Sequence, residues 1–369
     1  MSSLVRREAA IALPSTPVRT LRAHSAPVQV ARFTESRAYA VTGGQDRIVA
    51  LWNPFREAYA SHPETGGALL STFHGHGSDV RDVVASDDST RLASVGGDRC
   101  AFLWDVATGA AVRRVFGHDA RLNACALSAG GGALLATASD DMTVRVTDLR
   151  ASGGGSRAPI AAHLCGFGDS VSAVAFLDDG GGGAGIIAAS MDGSVRTWDA
   201  RAGRARIDVL PERPPVAALA LAPERGLALA ATPRRGGALV LLERATGAVL
   251  NVFTGHKNEA FRCQPAFLPR GSGVIVGAEE GSIFAWPLGA LEGAAPAVKI
   301  EGHSRVVSWV DIAAAPGGAD GTVMLTASFD GTVKLWADQD SALLRGSQEV
   351  ELASNDPALL RALGGKMIQ

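Results

Sequence analysis

Residues 75–105 read GHGSDVRDVVASDDSTRLASVGGDRCAFLWD and contain the pattern from which the fold is predicted. It opens with Gly75-His76 and closes with a marked spacing, because Asp98 is followed six residues later by Trp104. Between these points lie short apolar segments separated by turn-forming residues. Such segments are typical of strands, and helices need longer periodic runs.

The strands of this unit are predicted from its apolar segments and turns. Gly96-Gly97 allows the positive φ that a tight turn between two strands requires. The predicted strands, in order, are residues 79–85, 92–95, 100–105 and 111–116. A single four-stranded sheet cannot bury both of its faces, so such units stack around an axis until a ring closes.

The same frame recurs along the chain. Two further clear copies run from His24 through Asp46 to Trp52, and from His303 through Asp330 to Trp336. The weaker copies are His118 with Asp141 and Thr147, Asp192 with Trp198, His256 with Glu280 and Trp286, and an almost erased fifth copy with Gly236 and Leu242.

The spacing of these copies fixes their number. The Trp positions or their substitutes fall at 52, 104, 147, 198, 242, 286 and 336, with intervals of 52, 43, 51, 44, 44 and 50. Five of the six tryptophans follow this frame, and Trp309 does not. Repeats of about 40 to 45 residues with four strands each are typical of propeller blades. The sequence therefore predicts an all-β, seven-bladed propeller.

These motifs resemble those of the WD40 β-propeller family. The resemblance implies that a His, a Ser or Thr, the turn Asp and the Trp form a buried hydrogen-bonded network within a blade. Carried over to this chain, the three networks are His24, Thr42, Asp46, Trp52; His76, Ser94, Asp98, Trp104; and His303, Thr326, Asp330, Trp336. A hydrolase triad would also use His, Asp and Ser, but an enzyme needs one such group and this one recurs in three blades. We therefore predict no catalytic residues and no enzyme activity.

The ends of the repeat region predict how the ring closes. Residues 17–22 precede the first unit and occupy the place of an outer strand, while the last unit lacks one. Pairing the two would remove exposed sheet edges. We expect a propeller over residues 16–337, an N-terminal tail over 1–15, and a C-terminal tail over 338–369 with a short helix at 357–363.

Composition narrows the class of partner. The chain has 35 basic and 37 acidic residues and a net charge of -2, which argues against a general nucleic-acid or membrane-binding surface. It contains neither a signal-peptide core nor an apolar run of membrane-spanning length, so we expect a soluble intracellular protein. Four cysteines without a C-x-x-C pair predict reduced, buried thiols: Cys100, Cys125, Cys165 and Cys263.

The inserted connections offer weak alternative sites. His74-Gly75-His76 could be part of a metal site, but no further ligand cluster accompanies it, and we predict no metal or cofactor. The Arg-rich segment 201–213 and Arg234-Arg235 could contact RNA phosphate or an acidic partner, or could be a solvated rim. Insertions are predicted at residues 55–70, 150–168, 178–185 and 288–299; the Gly-rich runs within two of them, 153–155 and 180–183, lack the context of a phosphate-binding loop and are read as flexible connectors.

A closer resemblance is to the mitogen-activated protein kinase organizer family, also called WD repeat-containing protein 83. It is carried by GHGSDVRD at 75–82, LWDVATG at 103–109, DGSVR at 192–196 and LLERATGAVLNVFTGHKN at 241–258. The resemblance implies a non-catalytic adaptor of late spliceosomal assemblies in pre-mRNA splicing. The alternative that it implies is a scaffold for a mitogen-activated kinase cascade. Either role implies protein partners in the nucleus and cytoplasm, and no small-molecule substrate or membrane.

The Gly-His loops and Asp turns are expected at one end of every blade, and this end is the usual docking face in the family. We expect six polar residues beside them to form a partner-binding rim without a role inside the blades: Arg47, Asp79, Arg99, Lys257, Asn258 and Arg305.

Overall fold

A computed structural model describes residues 11, 13–58, 63–150, 160–178, 184–199, 204–222, 225–233, 236–315 and 321–337. These residues form seven antiparallel four-stranded sheets. Short 3₁₀ turns lie at Pro63–Thr65 and Pro269–Gly271. The predicted all-β, seven-bladed propeller is confirmed.

The strands are numbered in chain order and grouped by blade. Blades 1 and 2 contain β2 (Val28–Phe33), β3 (Ala40–Gly44), β4 (Ile48–Asn53), β5 (Ala68–His74), β6 (Val80–Ala85), β7 (Arg91–Gly96), β8 (Ala101–Asp105) and β9 (Ala111–Val115). Blades 3 and 4 contain β10 (Leu122–Leu127), β11 (Leu134–Ser139), β12 (Val144–Asp148), β13 (Ile160–Leu164), β14 (Val171–Asp178), β15 (Ala184–Ser190), β16 (Ser194–Asp199) and β17 (Arg204–Val209). Blades 5 and 6 contain β18 (Ala218–Ala222), β19 (Leu227–Thr232), β20 (Ala238–Glu243), β21 (Val249–Thr254), β22 (Ala266–Phe267), β23 (Gly273–Gly277), β24 (Ser282–Pro287) and β25 (Val298–Glu301). Blade 7 contains β26 (Val307–Ala314), β27 (Thr322–Ser328), β28 (Val333–Trp336) and β1 (Pro17–Leu21).

The first strands of the blades contact one another in order around the ring and so enclose a central channel. The ring is closed by β1, which pairs antiparallel with β28 and becomes the outer strand of blade 7. Leu21 lies opposite Val333, and Arg19 lies opposite Leu335. The predicted closure by an N-terminal outer strand is therefore confirmed. The predicted C-terminal tail and its helix lie outside the described residues, as does the N-terminal tail except for residues 11 and 13–15.

Small residues allow neighbouring blades to approach closely. A Cβ atom on Gly43 of β3 would lie 2.7 Å from Val80 Cγ1 of blade 2. Large aromatic residues fill the space further from the channel, and Trp52, Trp104 and Trp336 are at most 2% exposed. Burial of such side chains stabilises the sheets by removing apolar area from water.

The strand register defines two faces of the disc. Val28 at the start of β2 lies opposite Gly44 at the end of β3, and Val80 lies opposite Gly96 in the same way. The connections before first strands and the turns between second and third strands therefore share one face, which we call the upper face. The other connections share the lower face. Three of the predicted insertions, 55–70, 178–185 and 288–299, lie at lower-face connections, whereas 150–168 also contains β13 and ends in the upper-face connection before β14.

Candidate functional site

The network of blade 2 joins four side chains. His76 Nδ1 lies 3.0 Å from Asp98 Oδ2, and His76 Nε2 lies 2.8 Å from Ser94 Oγ. Trp104 Nε1 donates to the same Ser94 oxygen at 2.8 Å. The set is consistent with Ser94 donating to Nε2 while the Nδ1–H of a neutral imidazole donates to Asp98.

The Asp98 carboxylate closes the turn as well as the network. It accepts hydrogen bonds from the backbone N–H of Gly77 at 2.8 Å and of Cys100 at 3.3 Å. Burial alone would raise the pKa of Asp98, but the bonds from His76 and these N–H groups hold that pKa below its ordinary value. The ionised carboxylate thus connects the Gly-His loop to the turn between β7 and β8.

Blades 1 and 7 contain the same arrangement. In blade 1 the Nδ1 to carboxylate, Nε2 to hydroxyl and indole to hydroxyl distances are 3.0, 2.8 and 3.0 Å. In blade 7 they are 2.8, 2.8 and 2.9 Å. The structure therefore brings together all three predicted sets: His24, Thr42, Asp46, Trp52; His76, Ser94, Asp98, Trp104; and His303, Thr326, Asp330, Trp336.

Blade 3 has a network that the prediction did not include. His118 Nδ1 lies 2.7 Å from Asp141 Oδ2, and Nε2 lies 2.9 Å from Thr137 Oγ1. Thr147 replaces the Trp. Gly117-His118 and the spacing to Asp141 were the signal, and the missing Trp obscured it.

Blade 6 has lost the network. Val276 stands ten residues before Trp286, where the complete blades have Ser or Thr. His256 is 3% exposed, and among the described residues neither of its ring nitrogens nor Trp286 Nε1 has a hydrogen-bond partner. Burial lowers the pKa of His256 to about 4. Glu280, at the turn-Asp position, instead pairs with Lys299 at 3.5 Å.

A second polar cluster crosses the central channel. Arg32 Nη2 of β2 lies 2.9 Å from Asp82 Oδ1 of β6, and Asp82 is 1% exposed. Arg262, from the connection leading to β22, donates to the backbone oxygen of Asn123 at 2.7 Å. Because Asn123 lies on β10 of blade 3, this bond connects blade 6 with the far side of the ring.

Trp309, the tryptophan outside the repeat frame, belongs to this cluster. The guanidinium carbons of Arg32 and Arg262 lie 4.5 and 5.3 Å from the centre of its ring. Cation–π attraction of this kind is stronger away from bulk water. Sequence reasoning missed this cluster because the repeat frame does not relate its four side chains. They come from three different strands and one connection: Arg32, Asp82, Trp309 and Arg262.

Four of the six predicted rim residues are exposed on the upper face. Arg47 and Arg99 lie at the turns between second and third strands with φ values of 70° and 63°. Lys257 and Arg305 are also exposed. Arg305 Nη1 donates to the Phe329 backbone oxygen at 3.1 Å.

The expectation was wrong for two rim residues. Asn258 is 0% exposed. Its Cβ lies against Gly237 in the turn of blade 5, where glycine leaves room for it, and its backbone N–H donates to the backbone oxygen of Gly236. Asp79 is half-buried and accepts hydrogen bonds from Ser78 and Arg81, so it has a role inside the fold.

The cysteines and candidate ligands occupy separate places. Cys100, Cys125 and Cys263 are buried free thiols, whereas Cys165 is exposed beside the outer strand of blade 3, contrary to expectation. Within the described part of the chain, no three His, Cys, Asp or Glu side chains are grouped so as to hold a metal ion. No helix in that part has the length and apolar character needed to cross a bilayer. The segments 153–155, 180–183, 201–203 and 234–235 lie outside the described residues.

Several known proteins are similar to this chain, and three of them are described here. The U5 small nuclear ribonucleoprotein 40 kDa protein of Dictyostelium discoideum is 25% identical over 50% of the chain, and the pre-mRNA-splicing factor cwf17 of Schizosaccharomyces pombe is 30% identical over 48%. The chain spans about half the length of each, 47% in both cases. The WD repeat domain-containing protein 83 homolog of Dictyostelium discoideum is 22% identical over 86% of the chain and 97% of that protein.

The family profile described as WD domain, G-beta repeat matches residues 15–53, 67–105, 109–148, 159–199 and 295–337. The matches cover more than half of the chain and include the three blades with complete networks. Together with the seven sheets and their hydrogen-bonded turns, these matches establish that the chain belongs to the WD40 repeat family.

Proposed function

We propose that this protein is a non-enzymatic scaffold that acts as a structural subunit of the spliceosome and binds other spliceosomal proteins through its upper face. The observation that carries the proposal is that the His, Asp and Ser or Thr groups are buried and bonded to one another within the blades. Ser94 is 0% exposed, and its oxygen already contacts both His76 and Trp104. A hydroxyl held in this way stabilises a blade and has no access to a substrate.

The relatives support the choice of assembly. Two of the three are named as splicing components, and the third resembles this chain along almost its whole length. These relatives favour a nuclear location, and we propose a further pool in the cytoplasm. Any RNA contact is incidental, since the net charge of -2 offers no general phosphate-binding surface.

The second candidate is a scaffold for a mitogen-activated protein kinase cascade. It is favoured by the resemblance to the organizer family and by the long alignment with the protein 83 homolog. The same rigid disc serves either role, because function in a propeller depends on its surfaces.

Affinity purification with mass spectrometry distinguishes the two. Recovery of spliceosomal proteins with small nuclear RNAs supports the first role, and recovery of kinases without them supports the second. An activity with saturable turnover, abolished by one residue change, would contradict both.

The docking face is tested in the same purification. The double variant Arg47→Glu/Arg99→Glu should lose capture of the main partner while its unfolding temperature stays nearly unchanged, since exposed substitutions cost less than about 0.5 kcal/mol. The matched control is Arg37→Glu/Arg91→Glu, which reverses two exposed arginines on the lower face, Arg37 between β2 and β3 and Arg91 at the start of β7. Capture that survives the upper-face change but is lost when the 55–70 connection is shortened would place docking elsewhere.

A further inference from the structure

A pocket opens on the upper face where blades 7 and 1 meet. Its cavity volume is about 360 Å³, which is within the usual range for sites that hold a few side chains. Blade 1 contributes Arg22, Ser25 and Pro27 to its lining, and blade 7 together with the loop that leads into it contributes Arg305, Phe329 and Asp330.

The two arginines of this pocket lack carboxylate partners. Arg22 is exposed, and its guanidinium makes no ion pair with any residue that the structure describes. Arg305 uses Nη1 for the Phe329 backbone oxygen at 3.1 Å, and its other N–H groups have no partner in the described chain. Two guanidinium groups that line the same pocket are therefore both available to donate to an incoming anion.

The carboxylate in the pocket wall is already occupied. Asp330 Oδ2 lies 2.8 Å from His303 Nδ1, and Oδ1 accepts from the Thr332 hydroxyl at 2.6 Å and the Thr332 backbone N–H at 2.9 Å. Asp330 is thus held by its own blade and makes no direct ion pair with Arg22 or Arg305.

An aromatic ledge adjoins the arginines. Phe329 is half-buried in the pocket wall, and its ring centre lies 5.2 Å from that of Phe261 in an edge-to-face contact. Phe261 is 41% exposed. It comes from the connection between His256 and Arg262, which is longer than the corresponding connection of the complete blades. An exposed aromatic ring that packs on a second one, next to cations without carboxylate partners, is typical of a recognition surface.

We propose that this pocket binds an acidic peptide segment of a partner protein, with a carboxylate between Arg22 and Arg305 and a neighbouring apolar side chain on Phe261 and Phe329. The inference rests on the proposed function, since it assigns a partner chemistry to the upper docking face.

The charges favour a peptide over a nucleic acid. Asp330 in the wall and Asp46 in the adjacent network are ionised. Burial alone would raise the pKa of each, but the hydrogen bonds from their histidines, together with those from neighbouring N–H and O–H groups, hold it below its ordinary value. A polyphosphate would place several negative charges beside these groups, whereas one or two peptide carboxylates match two arginines. Strong nucleic-acid binding instead requires a continuous basic stripe.

The experiment uses the purified full chain and fluorescein-labelled synthetic peptides that combine several Asp and Glu residues with one Leu, Phe or Trp. Fluorescence anisotropy should give saturable binding that is lost when Asp and Glu are replaced by Asn and Gln. The variant Arg22→Glu/Arg305→Glu should weaken binding by about tenfold or more. Phe261→Ala should weaken it by a smaller factor, and the lower-face control Arg37→Glu/Arg91→Glu should leave it unchanged.

Three outcomes would overturn the inference: no saturable binding of any acidic peptide, binding that the Arg22 and Arg305 reversals do not affect, or stronger binding of labelled oligouridine with the same dependence on these arginines. Thermal unfolding of each variant checks that it is folded. Because peptide binding is measured on the isolated protein, its failure is separate from failure to recover spliceosomal proteins in the purification.

Discussion

Blades 2 and 6 have the same fold but connect their turns differently. Both bury a tryptophan at the same register, and both place a histidine beside it, with His76 6.4 Å from Trp104 and His256 5.6 Å from Trp286 between ring centres. In blade 2 the histidine bonds both Ser94 and Asp98, whereas His256 bonds neither Val276 nor Glu280. Packing therefore keeps the aromatic side chains of a blade in place even where the polar network is absent.

Blade 6 is also tied to the rest of the ring by a contact of a different kind. Arg262 bonds the backbone of Asn123 in blade 3, and its Nη2 lies 4.0 Å from Asp82 of blade 2. A complete blade connects its loop and turn through His and Asp side chains. In blade 6 the Glu279 carboxylate of the turn instead accepts the backbone N–H groups of Glu259, Ala260 and Phe261, and Arg262 adds a contact across the channel.

The largest effect is expected from Asp82→Ala. This change leaves Arg32 and Arg262 partly buried without their carboxylate, and removing one partner of such a group costs about 3–5 kcal/mol. Chemical denaturation should show the loss as a lower free energy of unfolding. Asp119→Ala, at an exposed carboxylate of the upper face, is the control and should change that free energy by less than about 0.5 kcal/mol. Equal effects of the two changes on the free energy of unfolding would contradict a stabilising role of the channel cluster.

Lowering the pH should reduce the free energy of unfolding through His256 of blade 6, which has no hydrogen-bond partner among the described residues. Burial lowers the pKa of His256 from 6.5 to about 4, so the unfolded chain binds the proton more readily than the folded one. Stability is fully present above the unfolded pKa and is lost as the pH falls from about 6.5 toward 4. Between about pH 7.5 and 5 the loss is on the order of 2 kcal/mol.

The variant His256→Ala removes this contribution but leaves the other histidines unchanged. Its free energy of unfolding should therefore fall less between these two pH values than that of the wild type. Identical pH dependence of the two proteins would mean that His256 has a partner in solution.

Restoring the missing hydroxyl should stabilise blade 6. Val276→Thr keeps the side-chain shape and supplies an oxygen that Trp286 Nε1 and His256 Nε2 can both use, with a gain of about 1 kcal/mol. Val274→Thr places the same hydroxyl two residues earlier, also in the buried core. It should destabilise the protein, because the network has no hydrogen-bonding group at that position and the hydroxyl would be buried without a partner. Thermal unfolding of the two variants should shift in opposite directions, and shifts in the same direction would contradict the network explanation.

The repeated parts of the molecule could be predicted from sequence, because each repeat reports the same local geometry. The Asp-to-Trp spacing located the turns, and the unpaired last unit located the partner of β1. The channel cluster could not be predicted, since Arg32, Asp82 and Arg262 meet only after the ring closes. Nor could the burial of Asn258, which depends on the small Gly237 of the neighbouring blade. Contacts between blades are set by the whole ring and leave no periodic signal.

The most direct test of the contrast between the two blades is the difference in free energy of unfolding between His76→Ala and His256→Ala. Both changes remove the same imidazole from beside a buried tryptophan, so the cost of the cavity is similar and the difference reports the hydrogen bonds. His76→Ala should cost more by on the order of 1–3 kcal/mol, since it leaves Ser94 and Asp98 without their shared partner. Equal losses, or a larger loss for His256→Ala, would contradict the view that the network stabilises complete blades and is absent from blade 6.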